Sequence, residues 1–316
     1  MRISNENSMY PLILRPILKN YLWGGTKLKK EYGKQSDENI AESWELCSYQ
    51  DQANMIQNGI WQGKYLNEYI ASYGKQVLGT QCKDKQLPVL IKYIDAQDFL
   101  SIQVHPGMLY AQTYEQDMGK TEAWYVIDCE PGAWLYYGFY EEMTKKQFVK
   151  AAQDGSIVDR LNKVSVAPGD MFFIPPGMVH AIGKGILMAE VGTNSNITYR
   201  IFDYGRKDKY GKERELHLDK AAEVIQFGGR KDFGYKQNAN GIKCDDFQIE
   251  ILHIEGQADL AVNGDTFISL LVFCGGGDLS YNGNKIPLQK GMSLFLPANM
   301  GSCRIVGNLK AVKTTI

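Results

Sequence analysis

The chain has 316 residues, 44% hydrophobic and 22% charged, with a net charge of −1: a folded chain of one large domain or two ordinary ones. That near-neutral charge removes the bulk electrostatic case for nucleic acid or an anionic membrane as a partner. No basic start leads into a long apolar run, since Pro11, Arg15 and Pro16 interrupt Met9–Leu18, so neither a secretory leader nor a membrane span is expected and the cytoplasm is the expected compartment.

In chain order, residues 1–60 read as irregular segments and short strands, with a turn at Trp23-Gly24-Gly25-Thr26 and a polar loop from Lys29 to Asn39. Leu66, Tyr69, Ile70, Tyr73 and Val77 recur at helical spacing and predict one helix from Tyr65 to Val77, stopping near Gly79. Leu87–Asp95 reads as a buried strand, and a short helix is expected beyond Pro106 through Leu109 and Tyr110. Thr144–Asp154 predicts a further helix, with Thr144 and Gln147 in capping-box spacing and Gly155 as its stop. Strands follow until a helix over His217–Phe227, closed by Gly228-Gly229. From Gly241 onward the pattern is short strands between Gly-rich turns such as Gly275-Gly276-Gly277 and Asn282-Gly283. The fold expected is mainly β, barrel or sandwich, with a few peripheral helices.

Cys47, Cys82, Cys129, Cys244, Cys274 and Cys303 are scattered without a C-x-x-C pair, which predicts free thiols rather than a disulfide framework or a thiolate metal site.

The informative stretch is Ser101-Ile102-Gln103-Val104-His105-Pro106. Extended backbone sends Ser101, Gln103 and His105 to one face, and such a polar row is costly to bury unless something binds it. Glu122 opens another strand, and His180 follows a strand and a tight turn, Phe172–Val179. Two His, one Glu and one Gln on neighbouring strands make a mixed nitrogen–oxygen metal site with room for a substrate. His217 and His253 carry no such pattern. A short internal repeat accompanies the site: Gly169 and Pro175 are spaced as Gly291 and Pro297 are, and five residues beyond each Pro stand His180 and Ser302. This reads as a duplicated barrel half without the ligand.

The Gly-Asp, apolar strand, Pro, turn and His of residues 169–180 is similar to the second motif of the cupin barrels. Trp23-Gly24-Gly25, Ala41-Glu42-Ser43-Trp44-Glu45, Ser101–Pro106, Lys120-Thr121-Glu122 and Tyr199-Arg200 together resemble the type I mannose-6-phosphate isomerases, in their short bacterial form. The resemblance runs from about residue 10 to the C-terminus. It implies two cupin barrels in tandem, a catalytic domain over 1–240 and a degenerate one over 241–316. It also implies one zinc ion held by Gln103, His105, Glu122 and His180, a sugar phosphate substrate and a monomer. An active-site arginine falls on Arg200 and an acidic pocket position on Glu190, while Lys92, Ser101 and Lys120 match polar positions near the substrate. Arg206 sits where the family carries a further cation.

The implied reaction interconverts mannose 6-phosphate and fructose 6-phosphate through an enediol. Glu190 is the favoured base, with Lys120 and a metal-bound water as rivals, and Lys92, Ser101 and Arg206 are the expected phosphate contacts. Two other readings compete. A cupin metal oxygenase would carry His where Gln103 stands, and a non-catalytic sugar-binding cupin would be favoured by a damaged ligand set.

Overall fold

Period-two alternation along four strands, Glu42–Leu46, Val89–Ala96, Glu122–Cys129 and Ile186–Thr193, organises the computed structural model, which describes residues 9–228 and 234–316. They lie in an antiparallel six-stranded sheet ordered Met171–Ile174, Glu122–Cys129, Ile186–Thr193, Val89–Ala96, Glu42–Leu46, Ile17–Lys19. The register puts Trp124, Glu190, Lys92 and Trp44 in one row, so these side chains share the inner face. Tyr93, Ala123, Tyr125 and Val191 point the other way into a second core. A sheet packed on both faces has no solvated side, and Glu42–Leu46, Val89–Ala96 and Ile186–Thr193 are accordingly buried throughout.

A five-stranded sheet covers the inner face, in the order Leu161–Ser165, Trp134–Phe139, His180–Ala181, Ile102–Val104, Tyr199–Phe202. Its register aligns His180, Gln103 and Arg200 in a second row. Helices Lys145–Asp154 and Leu218–Val224 pack behind it through Phe148, Ala151, Ala221 and Ala222. The predicted capping box is formed: Thr144 Oγ1 accepts from Gln147 N–H, and Gly155 closes the helix at φ +80°. Such a cap contributes about 1 kcal/mol.

The outer face of the six-stranded sheet packs on an eight-stranded sheet from the C-terminal third, built on Gln248–Val262, Gly301–Thr315 and Ile268–Tyr281. Leu12–Arg15, from the N-terminal region, adds to this sheet beside Ser293–Leu296. The internal repeat is structural. Gly169 and Gly291 turn at φ +97° and +90°, and Met178 N–H and Met300 N–H each donate to the carbonyl of the preceding Pro175 or Pro297. Gly177 and Asn299 take the left-handed position of those two turns. His180 then faces the inner sheet, whereas Ser302 is exposed.

Four local expectations change. Lys27–Tyr32 is a helix rather than part of a turn and loop, anchored by buried Leu28 and Tyr32. The helix expected over Tyr65–Val77 breaks at Gly74, φ +55°, into Leu66–Tyr73 and Lys75–Leu78. The helix expected over His217–Phe227 spans only Leu218–Val224, and Gly229 lies outside the described residues. Gly275-Gly276-Gly277 is not a turn but the middle of the 14-residue strand Ile268–Tyr281. Gly277 sits opposite Gly307, which in turn faces Gly256, and a Cβ on Gly277 would stand 2.2 Å from Val306 O. The glycines permit close backbone approach where these long strands bend. Asn282-Gly283, with both residues at positive φ, is the hairpin turn expected.

Candidate active site

Backbone carbonyls fix how both histidines face the space between the two inner sheets. His105 Nδ1 lies 2.7 Å from Ile197 O and His180 Nδ1 lies 2.9 Å from Met178 O. Each Nδ1 therefore carries the proton and each Nε2 presents a lone pair. The turn before His180 is itself tied to the first motif, because Gly177 N–H donates to His105 O. His105, Glu122 and His180 bring one donor atom each to within 4.8 Å of one another, all buried. His105 Nε2 and both Glu122 oxygens are buried without a hydrogen-bond partner. Gln103 closes the group, its amide 3.4 Å from His180 Nε2, and a half-turn of that amide offers its carbonyl oxygen instead. Orphaned lone pairs of this kind, converging from Nε2 and carboxylate atoms, fit a divalent cation. Gly192 faces Glu122 across the sheet, and a Cβ there would meet Thr121 O at 3.1 Å and Glu122 Cγ at 3.4 Å.

Charge reinforces the fit. Burial, with Lys120 adding to it, pushes the His105 imidazolium down, and burial pushes His180 to about 3, so both rings are neutral donors. For Glu122, burial opposes ionisation but the Lys120 charge outweighs it and holds the carboxyl well below the usual range. Lys120 Nζ stands 2.5 Å from Glu122 Oε1 as an ion pair outside hydrogen-bonding geometry. Glu190 behaves oppositely: burial and the neighbouring Glu122 charge raise it to about 7, against Lys92 and Lys120. Lys92 lies 3.2 Å from Glu190 Oε1 and 3.5 Å from Glu42 Oε2. Burial opposes its charge, but Glu190 and Glu42 prevail and keep it protonated.

These groups open on a cavity of about 280 Å³. Of the residues singled out in the sequence, Lys92, Ser101, Gln103, Lys120, Glu190 and Arg200 line it, with His105, Glu122 and His180 clustered beside Gln103. Arg206 does not line it: its guanidinium donates to Phe99 O and Asp203 Oδ1, both at 2.5 Å, and nears Asp98. The second guanidinium in the wall is Arg214, which nothing in the sequence pattern marks. Glu42, Asn196 and Tyr21 also line the cavity; Glu42 alone lay in a motif already noted, Ala41–Glu45. His217 donates its backbone N–H to Arg200 O and accepts from Arg200 N–H at Nδ1, bracing that arginine from behind.

A cupin-type β fold with a buried His-Glu-His cluster that fits a metal, beside a charged cavity, is the class that fold and site define. Residues 12–129 match the model of the phosphomannose isomerase type I catalytic domain, and residues 238–316 match that of the mannose-6-phosphate isomerase cupin domain. The chain is 35% identical over 311 residues to the mannose-6-phosphate isomerase ManA of Bacillus subtilis (strain 168), spanning 96% of this chain and 98% of that one. It is 31% identical over 310 residues to the mannose-6-phosphate isomerase of Streptococcus mutans, spanning 96% and 97%. The crystal structure of the mannose 6-phosphate isomerase from Bacillus subtilis matches with a TM-score of 0.88 at 31% identity, over 97% of this chain and 99% of that one. The chain belongs to the mannose-6-phosphate isomerase family.

Proposed function

We propose that the protein interconverts mannose 6-phosphate and fructose 6-phosphate by moving a proton between C2 and C1 through an enediol. The observation that carries this is the buried cluster of donor atoms from His105, Glu122 and His180 within 4.8 Å of one another, with Gln103 beside it and a cavity walled by Glu190, Lys120 and Arg200 adjoining. Zinc, one ion per chain, is the metal we assign to Gln103, His105, Glu122 and His180, because two neutral imidazoles, a carboxylate and an amide suit it. A divalent cation there would polarise the substrate's oxygens and favour negative charge on them.

The chain's own residues supply the rest. Glu190 serves as the base, since a carboxyl near neutrality can both take a proton from one carbon and return it to the next. Lys120, 3.9 Å from Glu190 Oε1, favours its ionised form and can donate to a sugar oxygen. Arg200, next to Gln103 in the strand register, stabilises the charge that develops on the enediol oxygens. Ser101 orients the sugar from the adjoining strand start. Lys92 holds Glu190 and Glu42 in place, so its charge is largely committed. We assign the metal site to a catalytic unit over 1–240, with 241–316 as a second, metal-free cupin unit, in a monomeric cytoplasmic enzyme.

The test is a coupled assay for fructose 6-phosphate formed from mannose 6-phosphate by the zinc-loaded protein. Steady turnover supports the reading. Binding of the sugar phosphate without turnover would instead establish a sugar-binding cupin. Oxygen consumption would establish the oxygenase that Gln103, in place of a histidine, argues against.

A further inference from the structure

The eight-stranded sheet meets the outer face of the six-stranded sheet through an apolar row that then turns polar. Ile251, Val312 and Leu271 stand side by side in the register and are buried in the shared core. One row further along the same face come His253, Lys310 and Cys274. A β-bulge at Phe273 allows this: Val272 pairs with Ala311 and Cys274 with Lys310, so Phe273 and Cys274 both turn to one side. The polar row overhangs a second cavity, of about 540 Å³, across the six-stranded sheet from His105, Glu122 and His180. Its polar groups are not spent on one another. Tyr125 is 7% exposed and lines the cavity, and its hydroxyl has no hydrogen-bond partner among the described residues. Burial and then the nearby Cys274 raise that hydroxyl, so it stays protonated and can donate. Lys310, His253 and the side-chain amides of Asn238 and Asn240 line the same cavity, and none has a hydrogen bond or ion pair among the described residues. The acids of the wall are already answered, Glu31 by Lys290 at 3.3 Å and Asp128 by Lys27. Lys310 is therefore a cation without a counter-charge above a buried hydroxyl without an acceptor.

We infer that this cavity is a second ligand site, for a small phosphate ester with a hydroxyl-bearing body: the phosphate sits between Lys310 and His253, and the hydroxyls meet Tyr125, Asn238 and Asn240. The inference stands apart from the proposed isomerase reaction. A phosphate accepts from several donors at once and answers the Lys310 charge, which an uncharged polyol would leave unpaired. The floor is already formed. Tyr32 donates its hydroxyl to Phe273 O at 3.3 Å, and the Tyr125 ring lies 5.2 Å from that of Phe273. Because the six-stranded sheet separates the two cavities, a ligand here does not displace a substrate from the metal side.

Cys274 is the one exposed thiol of the six, so its alkylation by iodoacetamide, followed by mass spectrometry, reports whether the cavity is filled. The experiment measures that rate in wild type, Lys310→Ala, His253→Ala and Tyr125→Phe, with glucose 6-phosphate, inorganic phosphate or glucose added at matched ionic strength and melting temperature as a fold control. In wild type, glucose 6-phosphate should slow labelling saturably, by about tenfold at ten times its dissociation constant. Inorganic phosphate should protect more weakly, and glucose not at all. Lys310→Ala should raise the protecting concentration of glucose 6-phosphate at least about tenfold, and His253→Ala and Tyr125→Phe by about threefold each. A sugar phosphate acting from the metal side would protect Cys274 equally in wild type and Lys310→Ala, and that result would overturn the assignment. So would equal protection by glucose, or a Cys274 that is not labelled in the free protein. No protection up to about 20 mM, where a site of Kd near 1 mM would be full, would overturn it too.

Discussion

Replacing Glu190 with Gln tests its proposed role as the base and changes little else. The amide keeps the shape of the side chain in a site where Glu190 is 5% exposed and lies 3.2 Å from Lys92 and 3.9 Å from Lys120. General bases contribute about 10²–10⁴-fold, so kcat should fall by that factor, equivalent to about 3–5 kcal/mol of barrier. Lys92 retains Glu42 at 3.5 Å and Asn196 at 3.1 Å, so the stability cost should stay near ~1–3 kcal/mol and the fold should survive. The pH profile gives a second readout. Burial and Glu122 raise Glu190 to about 7, and the base works only when ionised, so kcat/KM should climb with pH through that carboxyl's titration. A bound cation favours the carboxylate and moves the midpoint to or below about 7. The rising limb should be absent in the variant. The assay is steady-state turnover of mannose 6-phosphate from pH 5 to 9 with zinc content held equal in the two proteins. A variant with kcat within about threefold of wild type, and the same rising limb, would refute Glu190 as the base.

Three further outcomes follow from the same geometry. His105→Ala and His180→Ala should each lose bound metal and activity together, checked by metal analysis and turnover; full metal content in either would remove that residue from the ligand set. Gly192→Ala should keep the fold but weaken metal binding about 10–100-fold, because its Cβ would crowd Thr121 O at 3.1 Å and so shift the strand start that carries Glu122, and an unchanged metal affinity by chelator competition would contradict this. Metal-free protein should lose stability as pH falls. The folded pKa values of His105 and His180 lie below the unfolded 6.5, so their contribution is intact above about 6.5 and shrinks as the unfolded state takes up protons below it. Glu190 titrates with the opposite sign, its folded carboxyl being raised, so urea unfolding is best compared in Glu190→Gln. Between pH 7.5 and 5.5 His180 should remove roughly 1.4 kcal/mol, with His105 acting in the same direction, and a flat dependence would refute buried neutral imidazoles.

The shared face of Ser101, Gln103 and His105 was legible in the sequence because period-two alternation is rigid. Once Ile102 and Val104 are buried behind the sheet, Gln103 and its neighbours have one place to face. Turn chemistry was equally readable, as the Pro175-Pro176-Gly177 and Pro297-Ala298-Asn299 turns share one geometry with different residues at the left-handed position. Arg214 was not legible. Its place depends on a loop whose ends meet through Asp203, a contact across 11 residues that no periodicity encodes. The Lys27–Tyr32 helix escaped notice because only Leu28 and Tyr32 are buried, too few for a pattern. The glycines at 275–277 misled for a physical reason as well. Glycine marks both a turn and a close approach of paired strands, and only the partner strand, Gly301–Thr315, distinguishes the two.

The most direct test of the central claim is a zinc titration of chelator-stripped protein, following mannose 6-phosphate turnover at each addition. The account predicts negligible activity without metal and a linear return that saturates at one zinc per chain, with His180→Ala unresponsive. Full turnover by protein shown to be free of metal, or saturation only at a second equivalent, would contradict it.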